Sequence, residues 1–178
     1  MSDLRVHKTK YINETKRVSF KYDGKNYFGY EGDTLASALL ANGVHLIGRS
    51  FKYHRPRGIM SCGSEEPNAI CQISDKNDLT EPNVRATELE IYDGLEAFSQ
   101  NCWPNVKFDI GGINNLISPL IPAGFYYKTF MWPKSFWKKV YEPLIRMSAG
   151  LGKSPTEPDP DIYDHKYVHY DVLVIGDG

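Results

Sequence analysis

Residues 17–43 read RVSFKYDGKNYFGYEGDTLASALLANG, and the fold turns on this stretch. Val18, Phe20 and Tyr22 alternate with Arg17, Ser19 and Lys21, the period-two pattern of a half-buried strand. Asp23-Gly24 follows, a dipeptide suited to the positive φ angles of a tight hairpin. A second alternating run covers 26–30. Asp33 or Thr34 then stands where a short polar side chain caps the free amides of a helix. Leu35, Leu39 and Leu40 share one helical face. Asn42-Gly43 ends the helix, because glycine takes the left-handed conformation without a Cβ penalty.

Further along, 44–51 is an extended lead into a loop. Residues 67–74 (PNAICQIS) alternate, with Ala69, Cys71 and Ile73 opposite Ile70. Residues 84–92 (VRATELEIY) are expected to form another strand, with Val84, Ala86, Leu89 and Ile91 as its apolar members. Hairpin, helix, extended loop and strands, in that order, spell a β-grasp domain, in which a mixed sheet packs on one helix. Residues 93–127 are rich in Gly, Pro and Asn and show no period. Pro133 is a good first helical position. After it, Phe136, Trp137, Val140, Tyr141, Leu144 and Ile145 form an apolar stripe at helical spacing, which predicts packing. Residues 153–166 (KSPTEPDPDIYDHK) carry three prolines and read as an extended linker. In 170–178 (YDVLVIGDG) an aliphatic run like that of a parallel strand buried on both faces leads into Gly-x-Gly.

The expected fold class is therefore α+β: a β-grasp domain of the 2Fe-2S ferredoxin-like kind, an irregular and helical extension, and the first strand of a truncated Rossmann unit. The expected divisions are an N-terminal arm over 1–16, the β-grasp domain over 17–98, the extension over 99–152, a linker over 153–169, and 170–178 as the start of a dinucleotide-binding domain.

Composition narrows the function classes. A net charge of −1 lacks the broad positive potential of a nucleic-acid binder. No apolar run approaches a bilayer span, and the N-terminal residues carry no apolar core of a secretory signal. Three cysteines, Cys62, Cys71 and Cys102, make no disulfide framework and suit a reducing cytoplasm.

Residues 50–63 (SFKYHRPRGIMSCG) are the densest cationic segment. Lys52, His54, Arg55 and Arg57 invite two readings. One is an anion site, in which forked guanidinium groups clamp phosphate or carboxylate. The other is a solvated face or a contact with a partner, with Glu65 and Glu66 pairing to Arg55 or Arg57. A plant-type iron–sulfur cluster needs four thiolates, three of them in a C-x4-C-x2-C block. Three cysteines at irregular spacing cannot supply them, so no metal ligands are expected, and Cys62 is expected to be a small buried or half-buried residue. At the other end, Gly176 and Gly178 match the first two glycines of a dinucleotide-binding fingerprint. The third glycine, the helix and the ribose-binding acid are missing, so the sequence is expected to be the N-terminal piece of a longer polypeptide. No catalytic constellation is legible.

Several longer strings point to a family. TLASALLANG, GRSFKYHRPRGIMSCGSEEPNA, VRATELEIYDGLEAFSQNCWP, PAGFYYKTFMWP, YEPLIRMSAGLG and DVLVIGDG together resemble the N-terminal region of the alpha subunits of heterotetrameric sarcosine oxidases. That resemblance implies a ferredoxin-like domain without cluster ligands, followed by a dinucleotide-binding domain and a folate-binding domain. It implies an assembly with beta, gamma and delta subunits that uses NAD, FAD, FMN and tetrahydrofolate. No cofactor is expected within these 178 residues. A self-standing β-grasp binding module, an electron carrier with an incomplete cluster site, and the equivalent region of another amine or amino-acid dehydrogenase are the alternatives.

Overall fold

The computed structural model describes residues 4–5, 9–74, 80–116, 118–120, 132–148, 152, 154–159 and 162–175. The centre is a five-stranded sheet in the order β2-β1-β7-β5-β6. Its members are β1 (Asn13–Tyr22), β2 (Lys25–Glu31), β5 (Ile70–Ser74), β6 (Thr80–Arg85) and β7 (Glu96–Ser99). A separate two-stranded piece joins β3 (Gly48–Arg49) to β4 (Pro56–Arg57). β1 runs antiparallel to β2 and parallel to β7, so the sheet is mixed, as a β-grasp requires.

The expected hairpin is present. Asp23 and Gly24 have φ of 47° and 73°, the pair of positive angles that matches the right-handed strand twist. Val18, Phe20 and Tyr22 all face the core. Helix α1 (Leu35–Ala41) is capped by Thr34, whose Oγ1 accepts from Ser37 N at 3.2 Å. Leu35 and Leu39 are fully buried beneath the sheet's core, which also holds Ile47, Cys71, Ile73 and Leu95. Leu40 departs from expectation and stands half exposed. It falls on the outer edge of a short helix, where the neighbouring alanines do the packing.

Asp33 does other work than capping. Its buried carboxylate accepts from Tyr30 N and Ser37 Oγ and pairs with Arg5. Leu4 N donates to Ala41 O at 2.9 Å, so the N-terminal arm is tied to α1 at these two residues.

Several expected elements differ. The strand placed at 84–92 ends at Arg85; a turn follows at 86–88, and Glu90 keeps only an isolated bridge to Thr34. β7 lies inside the stretch expected to be irregular. The apolar stripe after Pro133 is not one amphipathic helix. It forms a 3-10 turn (Lys134–Phe136), a π turn (Trp137–Tyr141) and an α-helix (Glu142–Ser148). Pro143, which has no N–H to donate backward, sits at the change from π to α geometry. Phe136, Trp137, Val140 and Leu144 are exposed rather than packed. Residues 170–175 form no strand, and Val172 to Ile175 are 66–87% exposed. A parallel strand needs a neighbour for its hydrogen bonds, and none of the described residues pairs with this run. Gly176 and Gly178 lie outside the described residues.

Candidate functional site

The cationic segment begins as a small hairpin. Gly48 pairs with Arg57 and Arg49 with Pro56. Ser50 holds the turn three times: its N donates to Arg55 O, its O accepts from His54 N, and its Oγ accepts from Arg55 N, all at 2.9–3.0 Å. His54 occupies the left-handed region at φ 52°, unusual for a residue with a Cβ.

Most of the cations are already engaged, and the partners come from the irregular segment 101–115. Arg49, which the sequence did not single out, donates to Val106 O at 2.8 Å, Lys107 O at 3.1 Å and His54 O at 3.2 Å. Asn101 Nδ2 donates back to the carbonyls of Arg49 and Ser50. His54 Nδ1 lies 2.6 Å from Asp109 Oδ2, with both side chains largely buried. Asp109 Oδ1 meanwhile accepts from Trp103 N and Gly111 N. Gly111 is required there by space: a Cβ on it would come within 2.2 Å of His54 Nδ1. Arg55 Nε donates to Asn115 Oδ1 at 2.9 Å, and its guanidinium carbon lies 4.9 Å from the Tyr53 ring centre. Lys52 Nζ sits at the same distance from that ring. Arg57 is exposed on β4.

A shallow cleft of about 450 Å³ lies beside the hairpin. Its lining includes Arg49, Lys52 and Arg57, together with the amides of Asn68, Asn83 and Gln100. Asn83 and Gln100 lock each other through two hydrogen bonds of 2.9–3.0 Å. His54 is not part of this lining. The cleft therefore offers positive charge from Arg49, Lys52, Arg55 and Arg57, together with amide groups, to a polar surface.

Expected pairings of Glu65 and Glu66 with arginines do not form this way. Glu65 is exposed, whereas Glu66 is buried and is held by backbone amides. Oε2 accepts from Met60 N at 2.7 Å and Ser61 N at 2.6 Å; Oε1 accepts from Asn68 N at 2.8 Å and Ala69 N at 3.2 Å. Burial alone opposes its charge, but these donors outweigh burial and hold the carboxyl below its ordinary value. No sequence signal marks this, because every non-proline residue carries an N–H.

An iron–sulfur centre does not fit the residues present. Cys71 is in the core, where burial pushes its thiol up to about 12. Cys102 is half-buried beside Ser99, and its thiol is also raised by burial. Cys62 is exposed, not buried or half-buried as expected. Among the described residues no group of His, Cys, Asp and Glu could hold a metal ion, and no helix is long and apolar enough to cross a membrane.

Comparison with known proteins now joins this geometry. Residues 15–102 match the family model of a 2Fe-2S iron–sulfur cluster binding domain. These residues form a ferredoxin-like domain. Along all 178 residues the chain is 56% identical to the N-terminal region of the sarcosine oxidase alpha subunit of Rhizobium meliloti, and covers 18% of that protein. It is 31% and 32% identical over 169 residues to the alpha subunits of Corynebacterium sp. strains U-96 and P-1, covering 12% of each. A solved L-proline dehydrogenase from P. horikoshii is 23% identical over 53% of this chain and 17% of its own, with a TM-score of 0.39. The ferredoxin-like domain is thus present in fold, with its cysteines dispersed.

Proposed function

We propose that the chain is the N-terminal part of the alpha subunit of a heterotetrameric sarcosine oxidase. The full assembly oxidises sarcosine to glycine with O2 and tetrahydrofolate, giving hydrogen peroxide and methylenetetrahydrofolate. The observation that carries this is the 56% identity along all 178 residues. NAD, FAD, FMN and tetrahydrofolate belong to the remainder of the assembly, with beta, gamma and delta subunits as partners in the cytoplasm.

Within it, residues 17–98 serve as a structural domain. The extension (99–152) braces the cationic hairpin, and a linker (153–169) leads to the dinucleotide-binding domain that begins at 170. There Gly176 would make the tight turn after the strand and Gly178 would let the backbone approach the pyrophosphate. Lys52, His54, Arg55 and Arg57 belong to a surface that closes against another domain or subunit. One fact favours contact over an anion pocket: His54 and Arg55 are already engaged by Asp109 and Asn115.

Co-expression of the parent gene with the genes of its partner subunits tests the reading. The purified assembly is expected to consume O2 and release hydrogen peroxide when given sarcosine. An intact, flavin-loaded assembly that oxidises another amine and leaves sarcosine untouched would sink it.

A further inference from the structure

The loop before β5 holds an arrangement that the proposed activity does not use. Four backbone amides, at 60, 61, 68 and 69, converge on one point, and the carboxylate of Glu66 sits at that point. The side chain is 1% exposed and all four donors are main-chain. A concave set of backbone N–H groups is an anion site in its own right. Thr87, also buried, closes the loop from downstream by donating from Oγ1 to Gly63 O at 2.8 Å.

The spacing within the loop says which anion the fold is shaped for. A plant-type cluster takes its first three thiolates from C-x4-C-x2-C. Ser61-x4-Glu66-x2-Ala69 reproduces that spacing without a single cysteine. The hydrogen bonds, not the sequence, select this register: two of the four donors are the amides of Ser61 and Ala69, the outer members of the block. Starting the same block from Cys62 would place Pro67 and Ile70 in it, and Pro67 has no amide to give. An anionic cluster in such a loop is stabilised by hydrogen bonds to its sulfurs. Here the same kind of donor is spent on a carboxylate.

We infer that Glu66 is a resident anion: its carboxylate fills the cradle that the ferredoxin-like loop forms for a 2Fe-2S cluster, satisfying the amides and keeping the loop in its cluster-type shape without metal. Ser61 and Ala69 are then the small residues at the outer positions of that spacing, and Ser61 Oγ is buried with no hydrogen-bond partner among the described residues. The assignment rests on the loop's own hydrogen bonds and stands whatever the assembly oxidises.

The test uses the parent protein in its assembly. Hydrogen exchange is followed in peptides covering 58–70 for the native protein, Glu66→Gln and Glu66→Ala. Native amides at 60, 61, 68 and 69 are expected to be protected, and both variants to exchange at least about tenfold faster there. Formate, supplied to Glu66→Ala, is expected to restore protection where chloride at equal ionic strength does not. Unchanged exchange in Glu66→Gln, or no difference between formate and chloride, overturns the assignment. A separate measurement needs no variant: the native protein, incubated anaerobically with ferrous iron and sulfide and then desalted, is assayed for iron and acid-labile sulfide. Background levels are expected; a stoichiometric cluster assigned to this loop by its paramagnetic resonance after reduction overturns the inference.

Discussion

The hairpin at 48–57 and the loop at 58–69 are neighbours in sequence and opposites in how they handle charge. The hairpin carries arginines at a rim and ties them to a second segment, 101–115, through side-chain bonds. The loop hides one anion and answers it with main-chain amides alone. A charge held by side chains at a rim can be exchanged or shared with a partner at little cost. A buried carboxylate held by backbone donors cannot, because removing it strands several amides away from water. The hairpin is thus suited to contact, and the loop to shape.

The sharpest way to break this contrast is to remove the buried anion. Glu66→Ala should cost about 3 kcal/mol or more of folding stability, since its donors lose their acceptor, as read by urea unfolding. A stability change under about 0.5 kcal/mol, the level of an ordinary surface substitution, would place Glu66 with the rim residues.

The pH dependence follows the same carboxylate. Its folded value lies below the ordinary 4.5, so the unfolded state takes up its proton first as pH falls. The contribution is therefore fully present above about pH 4.5 and is lost as pH drops through the folded value. Unfolding curves between pH 6 and 3 (about that range) should show this loss in the native protein. Glu66→Gln, which cannot titrate, should show a shallower decline.

An intermediate effect is expected where the hairpin meets its brace. Gly111→Ala puts a Cβ against the His54 ring and should cost about 1–3 kcal/mol, as overpacking does. The His54–Asp109 contact should open, seen as a shifted imidazole resonance. An unmoved ring would mean that the brace is softer than its distances suggest.

The smallest effect on stability belongs to Arg57. Arg57→Glu at this exposed position should change stability by no more than about 0.5 kcal/mol. Loss of subunit association in that variant, with the fold intact, would mark the rim as an interface. Unchanged association would return Arg57 to the solvated face.

Much of the frame is legible in the residues themselves. Alternation of Val18, Phe20 and Tyr22, the Asp23-Gly24 turn, Thr34 as cap, and Cys71 with Ile73 on one face all appear in the structure as their patterns suggest. These features are local: strand period, turn angles and capping depend on residues a few positions apart. The family likeness is legible for a related reason, since long strings such as SFKYHRPRG survive as text.

Only the tertiary structure decides the rest. β7 is four residues long, EAFS, yet it lies mid-sheet between β1 and β5. Two neighbours satisfy its backbone on both edges, so it needs no strand pattern of its own. The stripe at 136–144 and the run at 172–175 carry patterns of buried elements and stand exposed, because periodicity states which residues share a face and not whether anything covers it. His54 meets Asp109 across 55 positions, and Glu66 meets amides that every sequence supplies. By itself the sequence determined the local elements and the kinship. The fold determined which charges are spent inside the molecule and which are left at its rim, because that depends on where separate segments converge.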